Sequence, residues 1–259
     1  MTVGDDEPSD PEPTAMKIAL FSAFPQELRH IVKNVRPVSL IDRGRAELYS
    51  ATYLSHEITI VLTGMGPKNA QAALDHLLTQ QIPGLILSMG FGGALYGGAA
   101  VGDLVVAERV FLVARGLEDV VEPEREDRLL AELSKNITFR EGAFFTLEKW
   151  MSKRDLKTIM DPAVTLPVSD METFPLAKGA CERGIPFLAI RSITDLADEE
   201  IAPEMLEVTD GQGHYRPARA LGLFLRRPAL IPQGIRLGLR SRSASQKHWC
   251  LFERIMHLL

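Results

Sequence analysis

Short apolar runs alternate along the chain with segments of helical periodicity. Ile18–Phe21, Gly84–Met89 and Phe187–Ile190 are apolar over most of their length, as strands buried on both faces of a sheet are. Ahead of the third run, Phe174 and Ala177 begin an apolar series at helical spacing, which a glycine and a proline end before the strand starts. The pattern predicts a single α/β domain in three α/β/α layers, with a mixed central sheet.

Two glycine-rich turns follow predicted strands. Thr63–Ala70 contains Gly66 and opens a helix, and the backbone N–H groups of such a turn form a ready site for an anion or a hydroxyl. The second turn, Gly90–Leu95, is not a dinucleotide-binding fingerprint, because its sixth position is Leu95 rather than Gly or Ala. Its glycines instead allow the backbone to come close to a bound ligand.

Composition and charge narrow the classes of protein that fit. The 259 residues are 46% hydrophobic, enough for a sizeable core, and the formal net charge of −5 argues against a general nucleic-acid binder. Cys181 and Cys250 provide no disulfide framework and fit a reducing compartment, so we expect a cytoplasmic protein. Met1–Ala15 is acidic and proline-rich, which predicts a disordered tail without a signal peptide. The glycines of Ile82–Gly102 favour strands and turns over a membrane span.

Two carboxylates are the first candidates for chemistry. Glu172 precedes the predicted helix, and Asp195 follows the carboxyl end of the strand that starts at Phe187. Carboxylates that converge at this edge of a sheet suit acid–base chemistry on a small polar substrate. The same spacing also fits a helix cap and a solvated loop, and spacing alone leaves both interpretations open.

The residues around these carboxylates resemble a known family. Asp170-Met171-Glu172, followed by Arg191-Ser192-Ile193-Thr194-Asp195, is similar to the paired signature of the superfamily of nucleoside phosphorylases and methylthioadenosine/S-adenosylhomocysteine nucleosidases. Lys17–Leu28 and the turn at 90–95 are similar to the opening strand and the Gly-Ser-Ala-Gly-Gly-Leu loop of that family. The resemblance covers residues 16–198 and implies a nucleoside phosphorylase-like fold.

The resemblance implies a role for each matching position. Asp195 would donate a proton or hydrogen bond to the purine N7, Glu27 would activate the attacking water, and Glu172 would hold the ribose hydroxyls. Met171 would pack on the sugar and Trp150 would stack on the base, although plain packing is the alternative for a single Trp beside a loop. The other substrate-binding positions implied are Gly66, Phe91, Gly92 and Thr194. No metal-ligand spacing occurs, and we expect no cofactor.

Two departures from the phosphorylase pattern favour hydrolysis. Family phosphorylases hold phosphate with an Arg and a Ser where this chain has Ser88 and Phe91. A phosphate dianion needs such donors, and Glu27 would repel it. We therefore predict a nucleosidase that releases adenine from a 5′-substituted adenosine. The alternatives are a phosphate-dependent phosphorylase and a non-catalytic nucleoside-binding or regulatory domain, and the joint presence of three carboxylates argues against the latter.

Residues 215–259 differ in composition from the predicted catalytic domain at 16–214. They carry nine Lys and Arg against the single acid Glu253, and Trp249, Phe252 and Met256 recur at helical spacing. This basic amphipathic extension resembles the tail of the hopanoid-associated branch, which cleaves adenine from adenosylhopane, a membrane lipid precursor. It predicts either peripheral contact with a membrane or a helix docked on the domain or on a second subunit. We also expect a homo-oligomer.

Overall fold

A mixed sheet runs through the part of the protein that the computed structural model describes, which is residues 15–35, 39–43, 46–161, 163–210 and 215–259. Its ten strands in these residues are β1 (Lys17–Ser22), β2 (Ser39–Arg43), β3 (Glu47–Tyr53), β4 (His56–Leu62), β5 (Leu85–Ala94), β6 (Leu104–Val113), β7 (Leu117–Val121), β8 (Arg140–Leu147), β9 (Val168–Asp170) and β10 (Phe187–Asp195). The helices of the same residues are α1 (Arg29–Asn34), α2 (Pro67–Gln80), α3 (Asp127–Ser134), α4 (Lys153–Ile159), α5 (Thr173–Cys181), α6 (Pro217–Arg226) and α7 (Ile231–Leu258).

Side chains alternate between the two faces of the central strands, and helices cover both faces. In β1, Ala19 and Phe21 pack in one cluster with residues of α2 and α5. Ile18 and Leu20 pack in the other cluster, with residues of α1, α3 and α7. A strand buried on both faces needs apolar residues at every position, which explains the uninterrupted run in the sequence. The predicted three-layer α/β/α fold with a mixed central sheet is confirmed.

Strand pairing brings three carboxyl ends to one place. β10, β6, β8, β9 and β5 follow one another in the sheet, and β10 also pairs with β5, so these five strands close into a ring. β5 pairs in parallel with β10 on one side and with β1 on the other. The carboxyl ends of β1, β5 and β10 therefore lie side by side, and ligands of α/β sheets bind at this end.

Two strands extend further than their apolar runs predict. β5 continues through the glycine-rich segment to Ala94, because Gly90–Gly93 pair with Arg191–Asp195 and the last two residues of β5 also pair with β9. β10 continues to Asp195 for the same reason. The predicted turn at 90–95 and the predicted end of the strand before Asp195 are wrong, because pairing between strands orders both segments and leaves no trace in the hydrophobic periodicity.

The C-terminal helix α7 has two different halves. Its first half carries the exposed side chains of Ile231, Ile235 and Leu239. Its second half buries Leu251 and Phe252 in the cluster that it shares with α1 and α3. The end of the chain is therefore part of the core and is not a separate appendage.

Two sequence predictions fall on residues outside the described ranges. They are the disordered tail, of which only Ala15 is described, and the domain boundary at residue 214. Among the described residues, no helix is both long enough and apolar enough to cross a membrane.

Candidate active site

Glu27 lies buried in the turn after β1, with four donors around its carboxylate. Oε2 accepts hydrogen bonds from Ser22 Oγ at 2.6 Å, Ala23 N at 2.9 Å and Phe24 N at 3.0 Å. Oε1 accepts one from Phe91 N at 2.8 Å. Because an ionised carboxylate offers about four lone-pair sites, two on each oxygen, Oε1 is the atom with capacity for a further donor.

A small cavity adjoins Glu27. Its polar walls come from Glu27, Thr63, Ser88, Glu172 and Arg191. Its volume is about 10 Å³, close to the smallest space that holds one water. The cavity therefore suits a single water with several polar partners, and it is too small for a phosphate ion.

Glu172 directly precedes α5 and lines this cavity. Its Oε1 accepts a hydrogen bond from Gly66 N at 2.8 Å. Burial raises the pKa of Glu172 to about 8, and the charge of Asp170 adds to the rise, whereas the Gly66 N–H and Arg191 act against it. At neutral pH the carboxyl is therefore mostly protonated and presents an O–H donor beside an acceptor.

Arg191 of β10 and Asp170 of β9 form a buried ion pair. Nη2 lies 2.7 Å from Asp170 Oδ2, and Nε donates to the same oxygen at 3.1 Å. The guanidinium also donates to the carbonyl and hydroxyl oxygens of Ser88 and to the Thr173 hydroxyl. Because all three of its nitrogens donate to acceptors within the protein, Arg191 has no donor directed at a phosphate.

A larger pocket of about 220 Å³ lies beside the small cavity. Phe91 and Met171 line the pocket, and their chain neighbours Gly90 and Glu172 line the cavity, so the two spaces share a wall. Apolar walls with a few converging polar groups are typical of small-molecule sites. Further residues around the pocket are Gly92, Gly93, Leu147, Trp150, Met151, Lys153, Ser169, Asp170, Thr194, Asp195, Glu200, Ile201 and Leu206.

Asp195 ends β10 and faces this pocket as a buried carboxylate. Its Oδ1 accepts a hydrogen bond from Thr194 Oγ1 at 2.9 Å, and its Oδ2 lies 2.6 Å from Lys153 Nζ. Burial raises the pKa of Asp195, while Lys153 and Thr194 act to lower it. The carboxyl is therefore balanced between a desolvated site that favours the proton and a cation that favours the charge.

Two glycines of β5 make room for the carboxylates. A Cβ at Gly90 would lie 2.8 Å from Glu27 Oε1, and a Cβ at Gly93 would lie 2.5 Å from Asp195 Oδ2. Both distances are too short for a carbon and an oxygen that are not bonded. The absence of side chains at Gly90 and Gly93 thus leaves room for the carboxylates of Glu27 and Asp195. This adds to the room for a base and sugar that the family resemblance implies.

The structure brings the predicted site residues together. Eight of them line the cavity or the pocket, and the ninth, Gly66, donates its N–H to Glu172. The eight are Glu27, Phe91, Gly92, Trp150, Met171, Glu172, Thr194 and Asp195. Their individual roles stay predictions.

Three further residues belong to the site although no role was predicted for them. Asp170 and Arg191 stand in the recognised signature, and a single arginine inside an apolar strand is a signal of a buried ion pair. Lys153 gives no comparable signal, because it lies among several charged residues of both signs, as is typical of a solvated helix.

A sequence profile described as the Phosphorylase superfamily matches residues 17–220. Among curated relatives, the 5′-methylthioadenosine/S-adenosylhomocysteine nucleosidase of Buchnera aphidicola is 26% identical over 200 residues, which cover 71% of this chain and 85% of the relative. The protein of the same name from Shewanella halifaxensis is 22% identical over 227 residues, covering 81% of this chain and 99% of the relative.

Solved structures share the fold. The 5′-methylthioadenosine/S-adenosyl homocysteine nucleosidase of Campylobacter jejuni aligns with a TM-score of 0.67 at 17% identity, covering 92% of this chain and 99% of that one. A futalosine hydrolase of Helicobacter pylori aligns with a TM-score of 0.68 at 17% identity, covering 95% and 99%. Proteins named for different substrates match about equally well, so the fold alone does not select a substrate.

The proton on Glu172 should make the stability of the protein depend on pH. The pKa of Glu172 is about 8 in the folded protein against 4.5 ordinarily. The folded state thus binds the extra proton between these values, and the free energy of unfolding should fall as pH rises from about 4.5 to 8. Glu172→Gln keeps an acceptor for Gly66 N and should flatten this fall.

Chemical denaturation at a series of pH values measures the effect. Glu182→Gln, at an exposed position just after α5, is the control and should leave the pH dependence unchanged. A pH dependence of unfolding that is the same with and without the Glu172 carboxyl would contradict its protonated state.

Proposed function

The chain belongs to the phosphorylase superfamily, and we propose that it is a purine nucleosidase, which cleaves the N-glycosidic bond of a 5′-substituted adenosine and releases adenine. One observation carries the proposal. A cavity of the size of one water, bounded by Glu27, shares a wall with a pocket that holds Asp195. A water in the cavity would be the nucleophile and Asp195 in the pocket would be the acid. A glycosidic bond bound between the two spaces would be accessible to both.

Glu27 is proposed as the general base. Cleavage of the bond develops positive charge on the sugar, and the anomeric carbon needs a nucleophile. A water in the small cavity would donate to Glu27 Oε1, which retains acceptor capacity, while four donors hold the carboxylate in place. A base that is held rigidly within reach of its proton meets the geometric requirement of general base catalysis.

Asp195 is proposed as the group that neutralises the departing base. The developing negative charge on the purine is relieved when N7 receives a proton or a strong hydrogen bond. Asp195 lies in the larger pocket, where burial raises its pKa and so favours the protonated form. Trp150 and Phe91 line the same pocket and would orient the flat base before reaction.

Glu172 and Met171 are proposed to hold the sugar between these two groups. Met171 faces the pocket while Glu172 faces the cavity, so the ribose would span their shared wall. A mostly protonated Glu172 offers one donor and one acceptor, which matches a pair of ribose hydroxyls. Gly66 supports this arrangement through its hydrogen bond to the Glu172 carboxyl.

The rival functions fit these observations less well. A phosphorylase must place a phosphate beside the anomeric carbon, but the cavity at that point holds about 10 Å³ and Arg191 donates to the protein itself. A non-catalytic binding domain has no need of a buried, hydrogen-bonded Glu27 next to a water-sized space. Hydrolysis is the reaction that both features favour.

For the 5′ substituent we propose a large apolar group, with adenosylhopane as the candidate from the resemblance of the tail. An exposed apolar face lies on the first half of α7 and includes Ile231, Ile235 and Leu239. Gln233 on the same helix donates to the carbonyl of Glu200, which lines the nucleoside pocket. This apolar face and the pocket are thus neighbours, and an apolar extension of the nucleoside could continue from the pocket onto the face.

The exposed faces of α6 and of the first half of α7 are proposed to contact a membrane, mainly through their apolar side chains. Leu225 and Leu239 are 76% and 67% exposed. The arginines around them are largely paired, since Arg226 binds Glu207, Arg227 binds Glu204 and Arg240 binds Glu199. The charge available for anionic lipids is therefore smaller than the composition of the tail suggests, and inserted leucines must supply more of the binding. Assembly into a homo-oligomer is proposed as well.

Asp195→Asn should leave the fold intact and reduce the release of base by roughly 10²–10⁴-fold, because an amide cannot supply the proton. The measurement is free adenine formed from adenosine, methylthioadenosine, S-adenosylhomocysteine and an adenosylated lipid. Asp198→Asn, at an exposed position three residues further along, is the control and should retain wild-type turnover. Near-normal turnover in Asp195→Asn would remove this residue from the proposed mechanism.

The reaction should proceed without phosphate and yield a free sugar rather than a sugar 1-phosphate, since the cavity beside Glu27 admits water but not phosphate. Mass analysis of the products with and without added inorganic phosphate decides the point. A strict requirement for phosphate would falsify hydrolysis and favour the phosphorylase.

The intact protein should co-sediment with phospholipid vesicles, more strongly with anionic than with neutral ones. Replacing both Leu225 and Leu239 by Ser should abolish most of the binding, because these are the two most exposed large apolar side chains of α6 and α7. Ile82→Ser changes an equally exposed residue, 74% accessible, after α2, and should bind like the wild type. If the intact protein ignores anionic vesicles at low salt, the surface is not a membrane contact.

A further inference from the structure

Lys153 is the one cation that pairs with the proposed acid among the described residues. Its Nζ lies 2.6 Å from Asp195 Oδ2, and side-chain exposure is only 8% for Lys153 and 7% for Asp195. An ammonium and a carboxylate this close and this dry interact strongly, because little water screens them. The pair lines the nucleoside pocket itself.

Lys153 does not contact the substrate directly. An ammonium has three N–H donors, and Nζ has three acceptors: Asp195 Oδ2, the carbonyl of Asp195 at 3.3 Å and the carbonyl of Leu196 at 2.6 Å. No donor remains for a purine nitrogen. Any influence of Lys153 on the departing base must therefore pass through Asp195.

The backbone around Lys153 keeps the ammonium in this position. Lys153 begins α4, and its own N–H and that of Arg154 donate to the Glu200 carboxylate at 3.1 Å each. The helix start is thereby tied to the segment that follows β10. One turn further, Lys157 Nζ donates to the carbonyl of Ala197 at 2.8 Å, so α4 and the end of β10 are held together at two points.

We propose that Lys153 is a positioning residue for base departure, whose ammonium holds the Asp195 carboxyl and sets the upper pH limit at which that carboxyl still carries a proton. This inference rests on the nucleosidase function proposed above. The ammonium stabilises the charged carboxylate, so it lowers the highest pH at which the acid form survives. With Lys153 in place, the protonated form of Asp195 thus persists only up to a lower pH than burial alone would allow.

Other charged groups face Asp195 but do not offer the same control. Glu199 and Arg240 lie on the loop and on α7, and they bind each other at 2.6 Å, which holds the pKa of Glu199 at about 2. Both members of this pair stay charged at working pH, so their opposite effects on Asp195 largely cancel. Asp170 across the pocket is neutralised by Arg191, and Glu200 caps α4.

The test is the pH profile of kcat/KM for the substrate that the wild type cleaves best. In Lys153→Met the basic limb should move to higher pH by about 1–3 units, the usual effect of removing one adjacent opposite charge. Lys153→Arg keeps the charge and should keep the limb close to the wild-type position. Arg154→Met, which removes an exposed cation from the next position of the same helix, should match the wild type.

Two outcomes would overturn the inference. One is a basic limb in Lys153→Met that coincides with the wild type. The other is a Lys153→Arg protein whose basic limb moves as far as that of Lys153→Met, because the charge at residue 153 would then not set the limb. Thermal unfolding of each variant shows whether it is folded, and Lys153→Gln, which retains a donor for the carbonyls, replaces Lys153→Met if the latter does not fold.

A second measurement separates this inference from the proposed function. Infrared difference titration of the protein without substrate follows the protonated carboxyl of Asp195, identified by its loss in Asp195→Asn. The midpoint should rise in Lys153→Met. If the wild type cleaves no nucleoside and the midpoint still rises in Lys153→Met, the proposed function fails while the control of Asp195 by Lys153 stands. If the enzyme is active and the midpoint is unchanged, the control by Lys153 fails while the proposed function stands.

Discussion

Four carboxylates lie together at one edge of the sheet, and among the described residues two cations pair with them. The structure depends on how their charges are compensated. Glu27, Asp170, Glu172 and Asp195 all line the cavity or the pocket. A buried charge without compensation would cost several kcal/mol. The four are compensated in three ways: a paired cation for Asp170 (Arg191) and Asp195 (Lys153), four hydrogen-bond donors for Glu27, and its own proton for Glu172.

These different forms of compensation separate the chemical roles. Glu27 Oε1 keeps acceptor capacity while four donors hold the carboxylate in place. Glu172 can donate because its surroundings favour the neutral form. Asp195 lies between these limits, since burial and Lys153 act on its pKa in opposite directions. Environments that separate the pKa values of carboxyl groups allow one site to contain both a base and an acid.

Much of the fold and of the site could be predicted, because the relevant signals are local. The apolar runs of β1 and β5 and the Met171-Glu172 and Thr194-Asp195 pairs can be read within a few residues of sequence. Lys153 could not, because its partner Asp195 is 42 residues away and becomes adjacent only through packing of α4 on β10. The extension of β5 past Gly90 is likewise a product of pairing with β10 and β9, not of local preference.

The C-terminal helix connects its exposed apolar face to both ends of the site. His248 of α7 donates from Nδ1 to the carbonyl of Glu27 at 3.1 Å, since that oxygen can only accept, and its ring stacks on Phe91. Burial lowers the pKa of His248 to about 4, so the ring stays neutral and fixed in this role.

At the other end, Arg240 of the same helix donates to the carbonyl of Thr194 at 2.9 Å, next to Asp195. Because α7 contacts the backbone at Glu27 and beside Asp195, it cannot shift without moving both the proposed general base and the proposed acid. Whatever binds the outer face of α7 therefore acts on a rigid element of the site, and a large apolar substituent bound there would be positioned relative to the bond that breaks.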